Sequence, residues 1–205
     1  MAKAPVAGRV KTRLCPPCTP AEAAALAEAA LADTLDAVAA CGAGRRIVAL
    51  DGAPGPWLPP GFEVVPQVGG PFDRRLAAAW AAAGGPGVQI GMDTPQVTAG
   101  LLNDALASLD SGGAALGLAA DGGWWAIALP AADERVFAGI PMSTATTGAA
   151  QLARLRRLGH SVAPLPTLVD LDTIADLPAV TASGTAVRTA ALGRTLGVLP
   201  VGAGA

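Results

Sequence analysis

"GVQIGMDTPQVTAGLLNDALASL", residues 87–109, holds the unit from which the fold can be read. Its first part is short and apolar and stops at Asp93. Thr94 and Pro95 then suit a turn, and Thr98 stands where a helix N-cap is wanted, ahead of "AGLLNDALASL", whose apolar residues recur at helical spacing. A buried strand followed within a few residues by a capped helix is the repeating unit of α/β proteins.

The same alternation extends outward from this unit. Upstream, "IVALD" (47–51) and "EVVPQ" (63–67) read as strands, and "FDRRLAAAWAAA" (72–83) as a helix closed by Gly84 and Gly85. The first helix is the best marked. Thr19 is its N-cap, Pro20 fits the first turn, Glu22 completes a capping box and Gly42 closes it, so it is predicted to run to about Cys41. Downstream, "AALGLAA" (114–120) and "WWAIAL" (124–129) are strands split by "DGG". A cationic helix around 149–159, a strand within 160–170 and a helical segment after Asp172 follow. With short Gly/Pro punctuation and no internal repeat, this order predicts an α/β sandwich with a mostly parallel sheet. A single domain is expected over 1–205, with about 198–205 as a flexible tail of small residues.

Composition narrows the function classes. The 205 residues are 52% hydrophobic and 15% charged, with a net charge of -2, which argues against a nucleic-acid binder, since that role wants basic surface along a face. The mean hydropathy of +0.46 owes much to alanine, and no apolar run approaches the roughly 20 residues of a spanning helix, so no membrane association is expected. The cationic start is followed by Pro16 and Pro17 rather than an apolar segment, which points to the cytoplasm. Cys15 and Cys18 form a Cys-Pro-Pro-Cys without a second pair, and Cys41 stands alone, so neither a disulfide framework nor a zinc site is expected.

In open α/β sheets ligands sit beyond the carboxyl ends of strands, which singles out the acids that end apolar runs: Asp93, Asp121, and Asp170 with Asp172. Each also has a plainer reading. Asp93 can terminate a strand and cap a turn at Thr94–Pro95, Asp121 before two glycines is common hairpin chemistry, and one of Asp170 and Asp172 is expected to cap the helix starting near Thr173 while the other stays free for metal. The complementary charge comes from "MAKAPVAGRVKTRL" at the start, a loop composition carrying Lys3, Arg9, Lys11 and Arg13. Gly8 lets backbone N–H groups approach a phosphate closely while the cations neutralise it; the plainer reading is a solvated basic terminus. Carboxylates at other strand ends can hold Mg²⁺ or Mn²⁺ through one or two oxygens and leave the remaining positions to phosphate and water.

Four strings, "AKAPVAGRVKTRL", "IGMDTPQV", "LAADGGWWAIAL" and "LVDLDTIADL", occur in this order over nearly the whole chain. Together they resemble the bacterial selenodomain-associated transferase 1 family, a branch of the nucleotide-diphospho-sugar transferases with the Rossmann-like GT-A fold. The layout is more distantly similar to the molybdenum-cofactor and phospholactate nucleotidyltransferases. The resemblance implies nucleotide binding at Lys3, Gly8, Arg9, Lys11 and Arg13, with Arg75 matching an arginine at a helix start. It further implies Asp93 and Asp172 as metal ligands and Asp121 near the acceptor. The family's first strand is apolar, whereas Met1–Ala4 leave little to build one, so that strand is expected to be short or missing, or the start to lie upstream. Trp124 in place of tyrosine, Met142 in place of tryptophan and Asp73 in place of glycine depart from the pattern on the presumed acceptor side.

The leading expectation is therefore a Mg²⁺-dependent transferase that passes a sugar from a nucleoside diphosphate to a small acceptor, with Asp121 as general base and Asp93 on the metal. A nucleotidyltransferase releasing pyrophosphate, and a nucleotide-binding protein that has lost catalysis, are the alternatives. The last finds support in the single acid of "GMDTP", where many glycosyltransferases have a pair.

Overall fold

The computed structural model describes residues 1–110 and 112–200. The predicted alternation is realised in the order β1 (Ala2–Lys3), α1 (Pro20–Ala40), β2 (Ile47–Asp51), β3 (Glu63–Pro66), α2 (Phe72–Ala83), β4 (Gly87–Ile90), α3 (Ala99–Ala107), β5 (Ala114–Ala119), β6 (Trp124–Leu129), α4 (Thr147–Arg157), β7 (Val162–Leu168), α5 (Leu177–Thr181) and α6 (Val187–Thr195). The capping box of α1 forms as its sequence requires: Thr19 accepts from the Glu22 N–H, and the Glu22 carboxylate accepts from the Thr19 N–H. Thr98 likewise caps α3 by accepting from the N–H of Leu101.

The strands form two sheets. One is parallel, in the order β1-β2-β3; the other runs β4-β6-β5-β7, with β6 antiparallel to both neighbours and β5 parallel to β7. Since β6 reverses direction twice over, β4, β5 and β7 all point the same way. Alternation along β6 separates the two faces of its sheet. Ile127 and Leu129 pack with Leu76 and Trp80 of α2 and Leu155 of α4, whereas Ala126 and Ala128 meet Leu102 and Ala105 of α3. The fold is thus α/β with helices on both faces.

The first strand is present but only two residues long, pairing with Leu50 and Asp51. It is too short to run the length of β2, which leaves an apolar cavity of about 610 Å³ between Ile47 and Ala49 of β2 and the Gly87–Ile90 strand. Trp80 Nε1 and Gln89 Oε1, both on residues that line the cavity, are buried without hydrogen-bond partners. At the same gap the Met1 ammonium donates to the Ile90 carbonyl at 2.8 Å; burial pushes its pKa down to about 6, against the opposing pull of Asp93. This cavity reflects an interrupted sheet, and none of the strand-end acids lines it.

Of the tail expected over about 198–205, residues 198–200 are described. Leu199 is buried with Leu177 and Val180, and its N–H reaches the Gly193 carbonyl at 3.0 Å, because Gly193 has no side chain to hold the segment off. The remainder of that expectation, residues 201–205, lies outside the described residues. Asp33 of α1, almost fully buried, accepts from the N–H groups of Arg188 and Thr189 and so anchors the start of α6. No helix among the described residues is long and apolar enough to cross a membrane.

Candidate active site

Three parallel strands bring their carboxyl ends to one place, and each is followed by an acid. Asp93 follows β4, Asp121 follows β5, and Asp170 and Asp172 follow β7. Backbone bonds lock these ends together: the Leu171 N–H donates to the Asp93 carbonyl at 2.8 Å, and the Ala120 N–H to the Leu168 carbonyl at 2.8 Å. All four acids line one cavity of about 180 Å³. Neither Asp170 nor Asp172 caps the following helical turn, as one of them was expected to do. Thr173 and Asp176 form that capping box themselves, which leaves both acids facing the cavity.

The basic loop folds over the same end. Val10 and Leu14 are buried on either side of Lys11, so the loop is pinned at both flanks. Lys11 itself takes a left-handed backbone, with φ 47° and ψ 39°, a conformation seldom adopted by a residue with a side chain. Its ammonium lies 2.5 Å from Asp93 Oδ1 and 3.2 Å from Asp172 Oδ1, and its side chain is only 8% exposed. Arg13, largely in solvent, reaches Asp172 Oδ2 at 3.2 Å. The structure therefore brings Lys11, Arg13, Asp93 and Asp172 into direct contact, with Asp121 beside them.

Other residues singled out from the sequence stand apart. Gly8, at φ +74°, and Arg9 occupy the exposed turn before the pinned segment. Lys3 lies in register with Asp51 on β1. Arg75 is tied to Gln67 and, at 3.5 Å, to Asp51, with its guanidinium over the Phe72 ring. None of these four lines the cavity of the acids, although Phe72 does.

Two parts of the site had little sequence signal. Asp170 was visible as a strand-end acid, but its neighbour Asp172 took the assigned role. The wall Ser143–Thr144–Thr147 carries no charge and is made by the loop before α4 and that helix's first residue. It is built by hydrogen bonds, with Thr147 Oγ1 donating to the Pro141 carbonyl and accepting from the Thr144 N–H. Of the three departures from the family pattern, Trp124 and Met142 line the cavity and give it an apolar side. Asp73 does not; its carboxylate accepts from the N–H groups of Arg74 and Gly139.

The sequence profile of a family described as "uncharacterized protein conserved in bacteria", DUF2064, matches residues 24–144, more than half of the chain. The chain belongs to the DUF2064 family. No curated protein matches it. A crystal structure from Desulfovibrio desulfuricans, provisionally named a nucleotide-diphospho-sugar transferase, is 27% identical over 95% of this chain and 91% of its own, with a TM-score of 0.84. That likeness sets the fold among the GT-A-like nucleotide-diphospho-sugar transferases. The stretch matched to DUF2064 carries Arg75, Asp93 and Asp121, whereas the basic loop and the two acids after β7 lie outside it.

In this DUF2064 protein the acids of the cavity act on one another. Asp170 is raised to a pKa of about 7, first by burial and then by Asp121, Asp93 and Asp172, with Lys11 opposing. The carboxylates outnumber the cations that reach them, and their oxygens are hard ligands, which fits a divalent ion such as Mg²⁺. Among the described residues no three His, Cys, Asp or Glu side chains gather as one ligand group. Two carboxylates suffice for Mg²⁺ when phosphate and water supply the other positions.

One pH effect follows from Asp170. Its pKa is raised from 3.8 to about 7 on folding, so between these values the folded state binds more protons than the unfolded one, and stability falls as pH rises through that window. Asp170→Asn is expected to flatten this fall. Relative to the unaltered protein it should gain on the order of 2 kcal/mol at pH 8 over pH 5, allowing for partial solvent access. Urea unfolding of both proteins at the two pH values, in EDTA, measures it. The Met1 ammonium titrates alike in both and cancels.

Proposed function

We propose that this protein binds a nucleoside diphosphate sugar with Mg²⁺ and transfers the sugar to the hydroxyl of a small acceptor, within the selenodomain-associated transferase 1 branch of its superfamily. The observation that carries the reading is the Lys11 ammonium held between Asp93 and Asp172 at the carboxyl ends of parallel strands, beside a cavity lined by further acids. It supports the reading because positive and negative side chains then lie within reach of one ligand. The provisional name of the Desulfovibrio desulfuricans protein agrees with it.

Asp93 and Asp172 would hold the ion, which when bound would supply charge stabilisation to the leaving diphosphate. Lys11 and Arg13 add to that stabilisation, and Arg9 at the loop tip offers a further phosphate contact. At about 180 Å³ the cavity is smaller than the 300–1,000 Å³ or so of sites that enclose a whole drug-sized ligand, so it suits the sugar and acceptor, with the nucleotide lying along the loop and the ends of β2 and β3. Trp124 and Met142 give the sugar an apolar face to lie on. The acceptor oxygen attacks the anomeric carbon as its bond to the diphosphate breaks, and the acceptor proton passes to Asp121, whose Oδ1 is already oriented by the Gly123 N–H at 2.7 Å.

A thermal-shift panel of nucleotides and nucleotide sugars with and without Mg²⁺ tests the reading. With Mg²⁺ present, a diphosphate ligand at 100 times its dissociation constant should stabilise by about 2.7 kcal/mol, and the same concentration without the metal should stabilise by clearly less. The acceptor reaction should release nucleoside diphosphate; release of pyrophosphate from a triphosphate would favour nucleotidyl transfer. No shift with any diphosphate at millimolar concentration would overturn the proposal.

A further inference from the structure

Lys11 is the most constrained cation of the basic loop. Its neighbours Arg9, Thr12 and Arg13 are exposed, yet its own side chain is 8% exposed and ends between two carboxylates. A left-handed backbone at a non-glycine residue is uncommon and persists where surrounding structure imposes it. Here the buried side chains of Val10 and Leu14 fix the flanks. The carboxylate oxygens that Lys11 engages, Asp93 Oδ1 and Asp172 Oδ1, belong to the two residues assigned above to the metal.

We propose that Lys11 is a placeholder cation. In the ligand-free protein its ammonium neutralises Asp93 and Asp172 where a divalent ion would sit, and a diphosphate draws it away, so that metal and nucleotide enter together and not metal first. This deepens the functional reading above and rests on it for the identity of the diphosphate ligand.

The physical argument is one of paired charges. An ammonium and a Mg²⁺ ion repel each other, and Mg²⁺ needs its oxygens at about 2.0–2.1 Å in near-octahedral geometry, so both cannot share these oxygens in the same position. Metal alone would leave the nearly buried ammonium without a counter-charge, which is strongly unfavourable. A diphosphate removes that penalty by giving the ammonium new oxygens on the same side, while its remaining oxygens complete the metal's shell. Metal and diphosphate are therefore positively coupled, and the coupling is reciprocal. With the diphosphate gone, Lys11 would again take the oxygens of Asp93 and Asp172 that would otherwise hold the ion.

Two measurements test this. The chain has two lysines, Lys3 and Lys11, so ¹⁵N-lysine labelling of the unaltered protein gives a side-chain ammonium spectrum of two groups. The Lys11 signal should be protected from exchange, should stay in place with several millimolar Mg²⁺ alone, and should shift when imidodiphosphate is added with Mg²⁺. In the second, Mn²⁺ binding without any phosphate is followed by the electron paramagnetic resonance of the free ion. Lys11→Met should bind Mn²⁺ at least tenfold more tightly than the unaltered protein, and Asp93→Asn added to it should abolish the gain. Displacement of the Lys11 signal by Mg²⁺ alone, or Mn²⁺ affinity unchanged in Lys11→Met, overturns the placeholder. If both Lys11 results hold while the nucleotide panel shows no binding, the placeholder stands and the nucleotide reading falls.

Discussion

Asp93→Asn is expected to lower any transfer activity by about 10²–10³-fold and to remove metal-dependent nucleotide binding, while leaving the fold intact. The asparagine keeps the shape and one carbonyl oxygen at the end of β4 but loses the charge. Asp93 is 42% exposed at its side chain, so nothing buried is left unpaired, and Lys11 still has Asp172 at 3.2 Å. The backbone carbonyl of residue 93, which holds the Leu171 N–H, is unchanged by the substitution. Calorimetric titration with a nucleoside diphosphate, with and without Mg²⁺, separates the two contributions. Binding in EDTA should change little, and the increment that Mg²⁺ adds should vanish. If Asp93→Asn retained that increment, the metal would have to sit elsewhere and the assignment of Asp93 would be wrong.

How much of this was legible in the sequence depends on whether local chemistry or chain-distant packing decides each feature. The box at Thr19 and Glu22, the cap at Thr98 and the acid ending the β4 run are set by neighbours a few residues apart, and they form as read. That Asp93 and Asp172 share one site was expected only through a family resemblance, and then around a metal ion; their meeting on the Lys11 ammonium was not expected. What brings them together is the backbone bond from Leu171 to Asp93, beside the one that ties Ala120 after β5 to Leu168 of β7, and no periodicity reveals either. Arg75 shows the opposite outcome. It occupies the expected position at the start of α2, but Gln67 and Asp51 take its guanidinium at the ends of the other sheet. Asp172 was preferred to Asp170 as metal ligand through the family resemblance, and that Asp170 is the shielded one of the two could not be read two residues apart on an extended segment. The uncharged wall from Ser143 to Thr147 has the same difficulty, since its shape comes from bonds between the hydroxyl at the start of α4 and the backbone of the loop before it.

The glycines of "DGG" illustrate a signal that reads correctly as a turn and yet understates its importance, and Gly122→Ala is expected to be among the most damaging single changes in the chain. Gly122 sits at φ +91°, and a Cβ built there would lie 2.1 Å from the Ala145 carbonyl oxygen. That contact is backbone, not a movable side-chain tip. The turn is also pressed against α4 from the other side: the Gly148 N–H donates to the Gly122 carbonyl at 2.8 Å, and a Cβ on Gly148 would come within 2.6 Å of the Gly123 carbonyl oxygen. Relief of the clash must therefore separate the β5–β6 turn from the start of α4, which parts Asp121 from the Ser143–Thr147 wall. Left-handed strain and overpacking together are expected to cost about 3–5 kcal/mol, a fall in Tm of roughly 10 °C for a chain of this size. Gly139→Ala is the matched control. Its φ of +68° imposes backbone strain of a similar kind, but nothing lies within 4 Å of the added carbon, so only about 1 kcal/mol should be lost. Thermal unfolding of the two variants side by side measures the difference. Equal losses would mean that the turn yields freely and that the packing of Gly122 against Ala145 does not hold Asp121 in place.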